Sequence, residues 1–138
     1  MTDAFDLIIQ TDGASRGNPG DAGTGIVFLA PDGQVLKTFG RYLGQTTNNI
    51  AEYTALIDAL KEAHSQGARR IRILSDSELM VRQIKGEYRV KNAGLQPLFD
   101  QAKAHLRGFV HWEIQHVLRG RNAAADARAN QSIDERTP

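Results

Sequence analysis

An apolar run near the start of the chain leads to a carboxylate and then to a glycine-rich segment. Residues Phe5–Ile9 are rich in strand formers, Asp12 follows them, and the run Gly17–Gly20 indicates a turn. Asp12 is therefore predicted to lie where a central strand ends. An ionised carboxylate at such a place is costly to bury unless it is paired or binds a cation.

Three later acidic residues, Glu52, Asp76 and Asp126, also lie at the ends of predicted elements or on short helices. We expect the fold to bring all four carboxylates together around divalent metal. Such a hard-oxygen site suits Mg²⁺ or Mn²⁺. Two such ions, roughly 3.5–4 Å apart, activate a water and stabilise the leaving oxygen of a phosphoryl displacement. Zinc is disfavoured, because 4 scattered histidines and no cysteine give no ligand pattern.

The composition is that of an ordinary globular protein. We expect one domain over residues 1–138, with a flexible tail from about 131 to 138. No apolar run approaches the roughly 20 residues of a membrane span. The first four residues, Met1–Ala4, lack the features of a signal peptide, so a cytoplasmic location is expected. The net charge of +1 does not by itself indicate a nucleic-acid binder, although Arg82–Lys91 is locally basic.

Hydrophobic periodicity predicts a mixed α/β fold. The predicted strands are Phe5–Thr11, Gly25–Leu29, Gln34–Leu43, Ala68–Ser75 and Val110–Leu118. The predicted helices are one that opens at Thr47–Asn49 and ends near Gly67, and then Ser77–Lys85, Leu95–Leu106 and Asn122–Ala129. Short connections make the first three strands antiparallel, whereas helical crossovers make the later strands parallel. We place Glu52 in the first turn of its helix.

Four ordered motifs carry a resemblance to a known family. They are Thr11–Ser15 with Gly17–Gly20, then Thr47–Glu52, then Ser75–Ser77, and finally Asn122–Asp126. Together they resemble the type 1 ribonuclease H (ribonuclease HI) family, in a compact form without a hybrid-binding domain or a long basic handle. The resemblance runs from Asp6 to about Asn130.

That resemblance implies a ribonuclease H-like mixed five-stranded sheet with helices on both faces. It implies hydrolysis of the RNA strand of RNA–DNA hybrids, leaving a 5′-phosphate and a 3′-hydroxyl. It also implies that Asp12, Glu52, Asp76 and Asp126 are catalytic and bind two Mg²⁺ ions per site, for which Mn²⁺ can substitute.

The residues that flank the acids are expected, under the same resemblance, to bind substrate. They are Gly13, Ser15, Asn18, Thr47, Asn48, Asn49 and Ser77. The glycine would admit a sugar-phosphate, and the amides would reach 2′-hydroxyls, which distinguish RNA from DNA. Taken alone, helix capping explains the two adjacent asparagines, and a plain turn explains Gly17–Gly20.

Many members of that family carry a mobile histidine before the last acid, where this chain has Arg119 and Arg121. We assign the role to Arg119 as a catalytic residue that holds the scissile phosphate or helps to expel the product, since arginine cannot act as a base near neutral pH. A surface arginine on a turn is the alternative. His116 is expected to be structural, inside the last strand.

The expected partner is an RNA–DNA hybrid, bound by a monomer with no membrane association. Three alternatives remain open at this point. They are relaxed cleavage of double-stranded RNA, integrase-like processing of DNA, and a non-catalytic nucleic-acid-binding module. The last class usually loses one or more acids, and all four are present in this chain.

Overall fold

The computed structural model describes residues 4–136. The strands are β1 (Leu7–Gly17), β2 (Gly20–Leu29), β3 (Val35–Phe39), β4 (Tyr42–Thr46), β5 (Arg70–Ser75) and β6 (His111–His116). The helices are α1 (Asn48–Ser65), α2 (Glu78–Ile84), α3 (Gln96–Leu106) and α4 (Ala123–Glu135), and a 3₁₀ turn (Arg119–Asn122) precedes α4.

The strands form one mixed sheet in the order β3-β2-β1-β5-β6, with β4 also paired to β2. Pairs among β1–β4 are antiparallel, and the pairs β1–β5 and β5–β6 are parallel. The predicted mixed α/β sheet is therefore confirmed. Its expected count of five strands was wrong, because the sheet has six.

The additional strand arises because the predicted third strand, Gln34–Leu43, is divided into β3 and β4. The chain crosses over β2 at Gly40, where an added Cβ would lie 2.0 Å from the carbonyl oxygen of Thr24. The backbone N–H of Arg41 then donates to Thr24 Oγ1 at 3.0 Å. β3 consequently pairs with the end of β2 and β4 with its beginning.

Strand β1 is longer than predicted. The expected end at Thr11 holds only for the parallel edge, where the pairing with β5 ends at Thr11 opposite Ser75. On its other edge β1 continues to Gly17, which pairs with Gly20 of β2. Asp12 is therefore the first residue beyond the parallel pairing, although it does not end the strand.

The two faces of the sheet are covered by different helices. On one face Leu56 and Leu60 of α1 belong to the same buried cluster as Ile9, Ile26 and Ile73 of the sheet. On the other face α4 approaches β2 so closely that a Cβ at Gly25 would lie 2.1 Å from the carbonyl oxygen of Ala125. Helices on both faces were expected, and the structure confirms them.

The end of the chain is more ordered than predicted. Helix α4 runs to Glu135 instead of ending at Ala129, and it includes residues 131–135 of the segment that was expected to be a flexible tail. Ser132 and Ile133 are buried, and Ser132 Oγ donates to the carbonyl oxygen of Thr24 at 2.9 Å. The expectations for residues 1–3 and 137–138 lie outside the described residues. Within residues 4–136, no helix combines the length and the apolar character needed to cross a membrane.

Candidate active site

Three carboxylates from three elements meet at the edge where β1 and β5 stop pairing. Asp12 belongs to β1, Glu52 to α1, and Asp76 follows β5 directly. One carboxylate oxygen from each residue lies within 4.8 Å of the other two. Adjacent parallel strands bring their carboxyl ends to one edge, which explains why Asp12 and Asp76 are neighbours.

Glu52 reaches this edge because α1 packs against β1 at Gly13. An added Cβ at Gly13 would lie 2.2 Å from the backbone carbon of Ala51, so only glycine fits there. The backbone N–H of Gly13 donates to Glu52 Oε1 at 2.9 Å. The expected position of Glu52 in the first helical turn was wrong: that turn contains no acid, and the glutamate is buried just beyond it.

Burial and mutual repulsion disfavour the ionised form of this cluster. Burial, and then the charges of Glu52 and Asp76, raise the pKa of Asp12 to about 9. Burial also raises the pKa of Glu52 to about 8, against the hydrogen bond from Gly13. A divalent cation would relieve this repulsion, and carboxylate oxygens are the donors that Mg²⁺ and Mn²⁺ prefer. The donor set therefore fits such ions.

Asp126 lies in the same cleft but outside the tight group. It belongs to the first turn of α4, and its interaction with the Asp12 carboxyl group contributes to the raised pKa of Asp12. The cleft has a volume of about 630 Å³. All four predicted acids thus line one cleft, and three of them share the tight cluster.

The loop after β6 supplies a cation to this cleft. Arg119 Nε lies 3.9 Å from Asp76 Oδ2, and its side chain is 84% exposed. The charge of Arg119 also acts to lower the pKa of Glu52, against the effect of burial. His116, expected to be structural, is instead the exposed last residue of β6 and lines the cleft. It was misjudged because the end of a strand was taken for its interior.

Two of the predicted substrate residues, Ser15 and Asn18, have side-chain hydrogen bonds that link the β1–β2 hairpin to neighbouring elements. The Ser15 hydroxyl faces the carbonyl oxygens of Gly17 and Thr46, to either of which it can donate its one proton, and it thereby links β1 to β4. Asn18 Oδ1 accepts from the backbone N–H of Asn48 at 3.0 Å. These contacts hold the β1–β2 hairpin against the start of α1, at the rim of the acidic cleft.

Thr47 and Ser77 are helix caps. Thr47 Oγ1 accepts from the backbone N–H of Ile50 at 3.2 Å, and Ser77 Oγ accepts from that of Met80 at 3.3 Å. Each hydroxyl proton remains available to donate.

A second groove beside the cleft gathers amide side chains. Its volume is about 370 Å³, and it is lined by Asn18, Thr47, Asn49, Ile50, Asn92 and Leu95. Asn92 was not predicted, and its place in a polar loop gave no specific signal. Arg16 and Asn130 line the acidic cleft and were also missed, since 114 positions of sequence separate them.

Comparisons with known proteins agree with this geometry. A family model described as reverse transcriptase-like matches residues 10–132. The chain is 42% identical over 124 residues to the ribonuclease HI of Halobacterium salinarum, covering 90% of this chain and 62% of that protein. It is 32% identical over 149 residues to the ribonuclease HI of Pseudomonas aeruginosa, covering 98% of each. The chain thus spans less than two thirds of the halobacterial relative, and 35% of mycobacterial relatives.

Solved structures give the same result. The crystal structure of RNase H1 from Halobacterium salinarum matches with a TM-score of 0.91 at 40% identity, covering 94% of this chain and 98% of that one. The structure of LC11-RNase H1 in complex with an RNA/DNA hybrid matches with a TM-score of 0.89 at 40% identity, covering 94% and 97%. These neighbours confirm the predicted fold class.

Proposed function

We propose that this chain, which belongs to the type 1 ribonuclease H family, hydrolyses the RNA strand of RNA–DNA hybrids. The observation that carries the proposal is the convergence of Asp12, Glu52 and Asp76 to within 4.8 Å at the edge of the sheet. The expected products are a 5′-phosphate and a 3′-hydroxyl. A related enzyme, LC11-RNase H1, has been seen in complex with such a hybrid, which supports the choice of substrate.

The four acids are proposed to hold two Mg²⁺ ions, with Mn²⁺ as a substitute. Asp12, Glu52 and Asp76 would form the central ligand set, and Asp126 would complete it from α4. When bound, such ions activate the attacking water and stabilise the leaving oxygen of an in-line displacement. Because burial favours the protonated forms of Asp12 and Glu52, these carboxylates would have to release their protons in order to hold the ions.

The rim of the cleft is proposed to bind the hybrid. Gly13, Ser15, Asn48 and Ser77 line the acidic cleft, and Asn18, Thr47 and Asn49 line the neighbouring groove. Their amides and hydroxyls are suited to 2′-hydroxyls and phosphates of an A-like duplex. Asn92 joins this set as a residue of the same groove.

Arg119 is proposed to hold the scissile phosphate or to help expel the product. Its guanidinium lies beside Asp76 at 3.9 Å, yet its side chain remains almost fully exposed. An exposed arginine at the mouth of an acidic cleft is free to follow a phosphate, and it presents several donors in one plane.

The test is a cleavage assay on one sequence in four forms: RNA–DNA hybrid, RNA duplex, single-stranded RNA and DNA duplex. Each form is incubated with Mg²⁺, with Mn²⁺ and with chelator. We expect metal-dependent cutting confined to the RNA of the hybrid. Asp12→Asn should reduce the rate by about 100-fold or more, because it removes a ligand charge from the metal site.

The matched control for this assay is Asp100→Asn, an exposed aspartate on α3 that accepts a hydrogen bond from Gln96, one helical turn away. It should cleave at the wild-type rate. Cutting of the RNA duplex as well would leave the proposed metal-dependent cleavage unchanged and would add double-stranded RNA to the substrates. Full activity of Asp12→Asn would contradict the assigned metal site, and hybrid binding without cleavage under any ion would indicate a binding module. A cytoplasmic location and a monomeric state stay predictions.

A further inference from the structure

We propose that Asn130 is a positioning residue that determines where the Asp126 carboxylate lies in the metal site, and that Arg16 fixes the amide of Asn130 for this role. The inference rests on the proposed function, since it concerns the same ions. Neither residue belongs to the predicted set, and both line the acidic cleft.

Asn130 lies one helical turn after Asp126 on α4. Its Nδ2 lies 3.1 Å from the carbonyl oxygen of Asp126 and 3.5 Å from the carboxylate Oδ1 of the same residue. Residues four apart on a helix share one face, so both side chains point into the cleft. The NH₂ group of Asn130 is thus a hydrogen-bond donor to the Asp126 carboxylate on the same face of α4.

The orientation of the Asn130 amide is determined by Arg16 of β1. Arg16 Nη2 lies 3.2 Å from Asn130 Oδ1 and 3.4 Å from the backbone carbonyl oxygen of Asn130. Arg16 Nη1 donates to Asp134 Oδ1 at 2.6 Å. A guanidinium only donates hydrogen bonds, so the amide oxygen must face Arg16. The NH₂ group must then face Asp126. A flipped amide would place donor against donor and lose both contacts.

This contact joins the two elements that carry Asp12 and Asp126. Asp12 belongs to β1 with Arg16, and Asp126 belongs to α4 with Asn130. Since Asp126 lies outside the tight group of carboxylates, its approach to an ion depends on how α4 and its own side chain are held. Hydrogen-bonding partners of ligating carboxylates typically change metal affinity by 10- to 100-fold.

The experiment is calorimetric titration of Mn²⁺ into the full chain without nucleic acid. Asn130→Ala should weaken Mn²⁺ binding by about tenfold. Arg16→Ala should weaken it less, and Arg16→Lys should restore part of the loss, because lysine retains a donor. The matched control is Gln131→Ala, the next residue on α4, whose exposed side chain bonds Glu135 and should leave the affinity unchanged.

The same titration in an Asp126→Asn background separates positioning from a general structural effect. There Asn130→Ala should cause no further loss, because the carboxylate that it positions is absent. An equal loss in that background, or unchanged Mn²⁺ affinity of Asn130→Ala in the wild-type background, would overturn the inference alone. A wild-type chain that binds no Mn²⁺ would overturn the proposed function and the inference with it. If Asn130→Ala folds poorly, the Arg16 variants replace it in the titration, because the Arg16 side chain is exposed.

Discussion

At the scale of single residues, the behaviour of Asp12 depends on its neighbours more than on its own chemistry. It is 4% exposed, and two further carboxylates lie within reach of it. In the absence of a cation, these surroundings favour the protonated acid. The same residue is therefore a source of instability in the ion-free protein, and it is proposed to be a ligand once an ion is bound.

This leads to a stability prediction with a definite sign. The pKa values of Asp12 and Glu52 are raised from 3.8 and 4.5 to about 9 and about 8. At pH values between the ordinary and the raised pKa values, the folded chain binds more protons than the unfolded chain. The free energy of unfolding should therefore fall as pH rises from about 5 to about 9. Urea denaturation in chelator at several pH values measures this slope.

Two comparisons sharpen that measurement. Asp12→Asn should flatten the slope and raise the melting temperature in chelator at pH 8 by about 3 °C or more, the equivalent of about 1 kcal/mol. Added Mg²⁺ should stabilise the wild type most at high pH, where the ligands are ionised. A wild-type stability that is constant from pH 5 to pH 9 in chelator would contradict the proposed cause.

At the scale of elements, the site depends on two close approaches of a helix to a strand. α1 meets β1 at Gly13, and α4 meets β2 at Gly25. Each helix carries acids of the cleft, Glu52 on α1 and Asp126 on α4. The glycines are therefore required for the position of those acids, whether or not they also touch a substrate.

Gly13→Ala should be strongly disruptive. The added methyl group would meet the backbone of Ala51 at 2.2 Å, so α1 must move away from β1. We expect a loss of about 3 kcal/mol, at the upper end for overpacking, measured by urea denaturation. Gly120→Ala is the control, because an added Cβ at Gly120 meets nothing within 4 Å. Equal stability of the two variants would show that α1 is not held at this contact.

The last turns of α4 should also contribute to stability. Ile133 is 2% exposed, so Ile133→Ala should cost about 2–4 kcal/mol. Gln131→Ala, on the exposed side of the same turn, should change the free energy of unfolding by less than about 0.5 kcal/mol. Urea denaturation of both variants measures the two changes in the free energy of unfolding. A neutral Ile133→Ala would mean that residues 131–135 behave as the flexible tail expected from their composition.

At the scale of the whole molecule, a net charge of +1 hides a separation of charge. Lys85 of a basic segment lines a pocket that shares His116 with the acidic cleft, and Lys85, Arg89 and Lys91 of that segment are exposed. Cationic side chains at the rim of an acidic cleft attract the phosphates of a duplex. The cleft itself needs bound divalent cations before it can bind a phosphate. Binding and catalysis should therefore respond differently to salt and to divalent metal.

Affinity for an RNA–DNA hybrid should fall as salt rises, because bound phosphates release counterions. Lys85 lines a pocket together with Arg82 and His116, next to the cleft. Lys85→Ala should weaken binding and lower the slope of log affinity against log salt by about one. Fluorescence anisotropy with the cleavage-deficient Asp12→Asn background measures this. Arg107→Ala, an exposed cation at the end of α3, is the control, and an equal change of its slope would argue against a contact at Lys85.

Many helices and strands of this protein, its four acids and its family could be predicted from the sequence alone. Periodicity placed α1, α2, α3, β5 and β6 to within two residues, because the burial of one face is a local property of spacing. The four acids were predicted as site residues from their order and their flanking motifs, and the structure places them in one cleft. The predicted family was likewise confirmed by its relatives.

Only the tertiary structure decided how these parts meet. The extension of β1 to Gly17, the division of β3 from β4 and the order in α4 all depend on partners distant in sequence. The bond from Gly13 to Glu52 spans 39 positions, and that from Arg16 to Asn130 spans 114. Local patterns report which residues prefer to be buried, whereas pairing across such distances is set by packing of the whole sheet. For that reason the acids were predicted from sequence, and the residues that hold them in place were not.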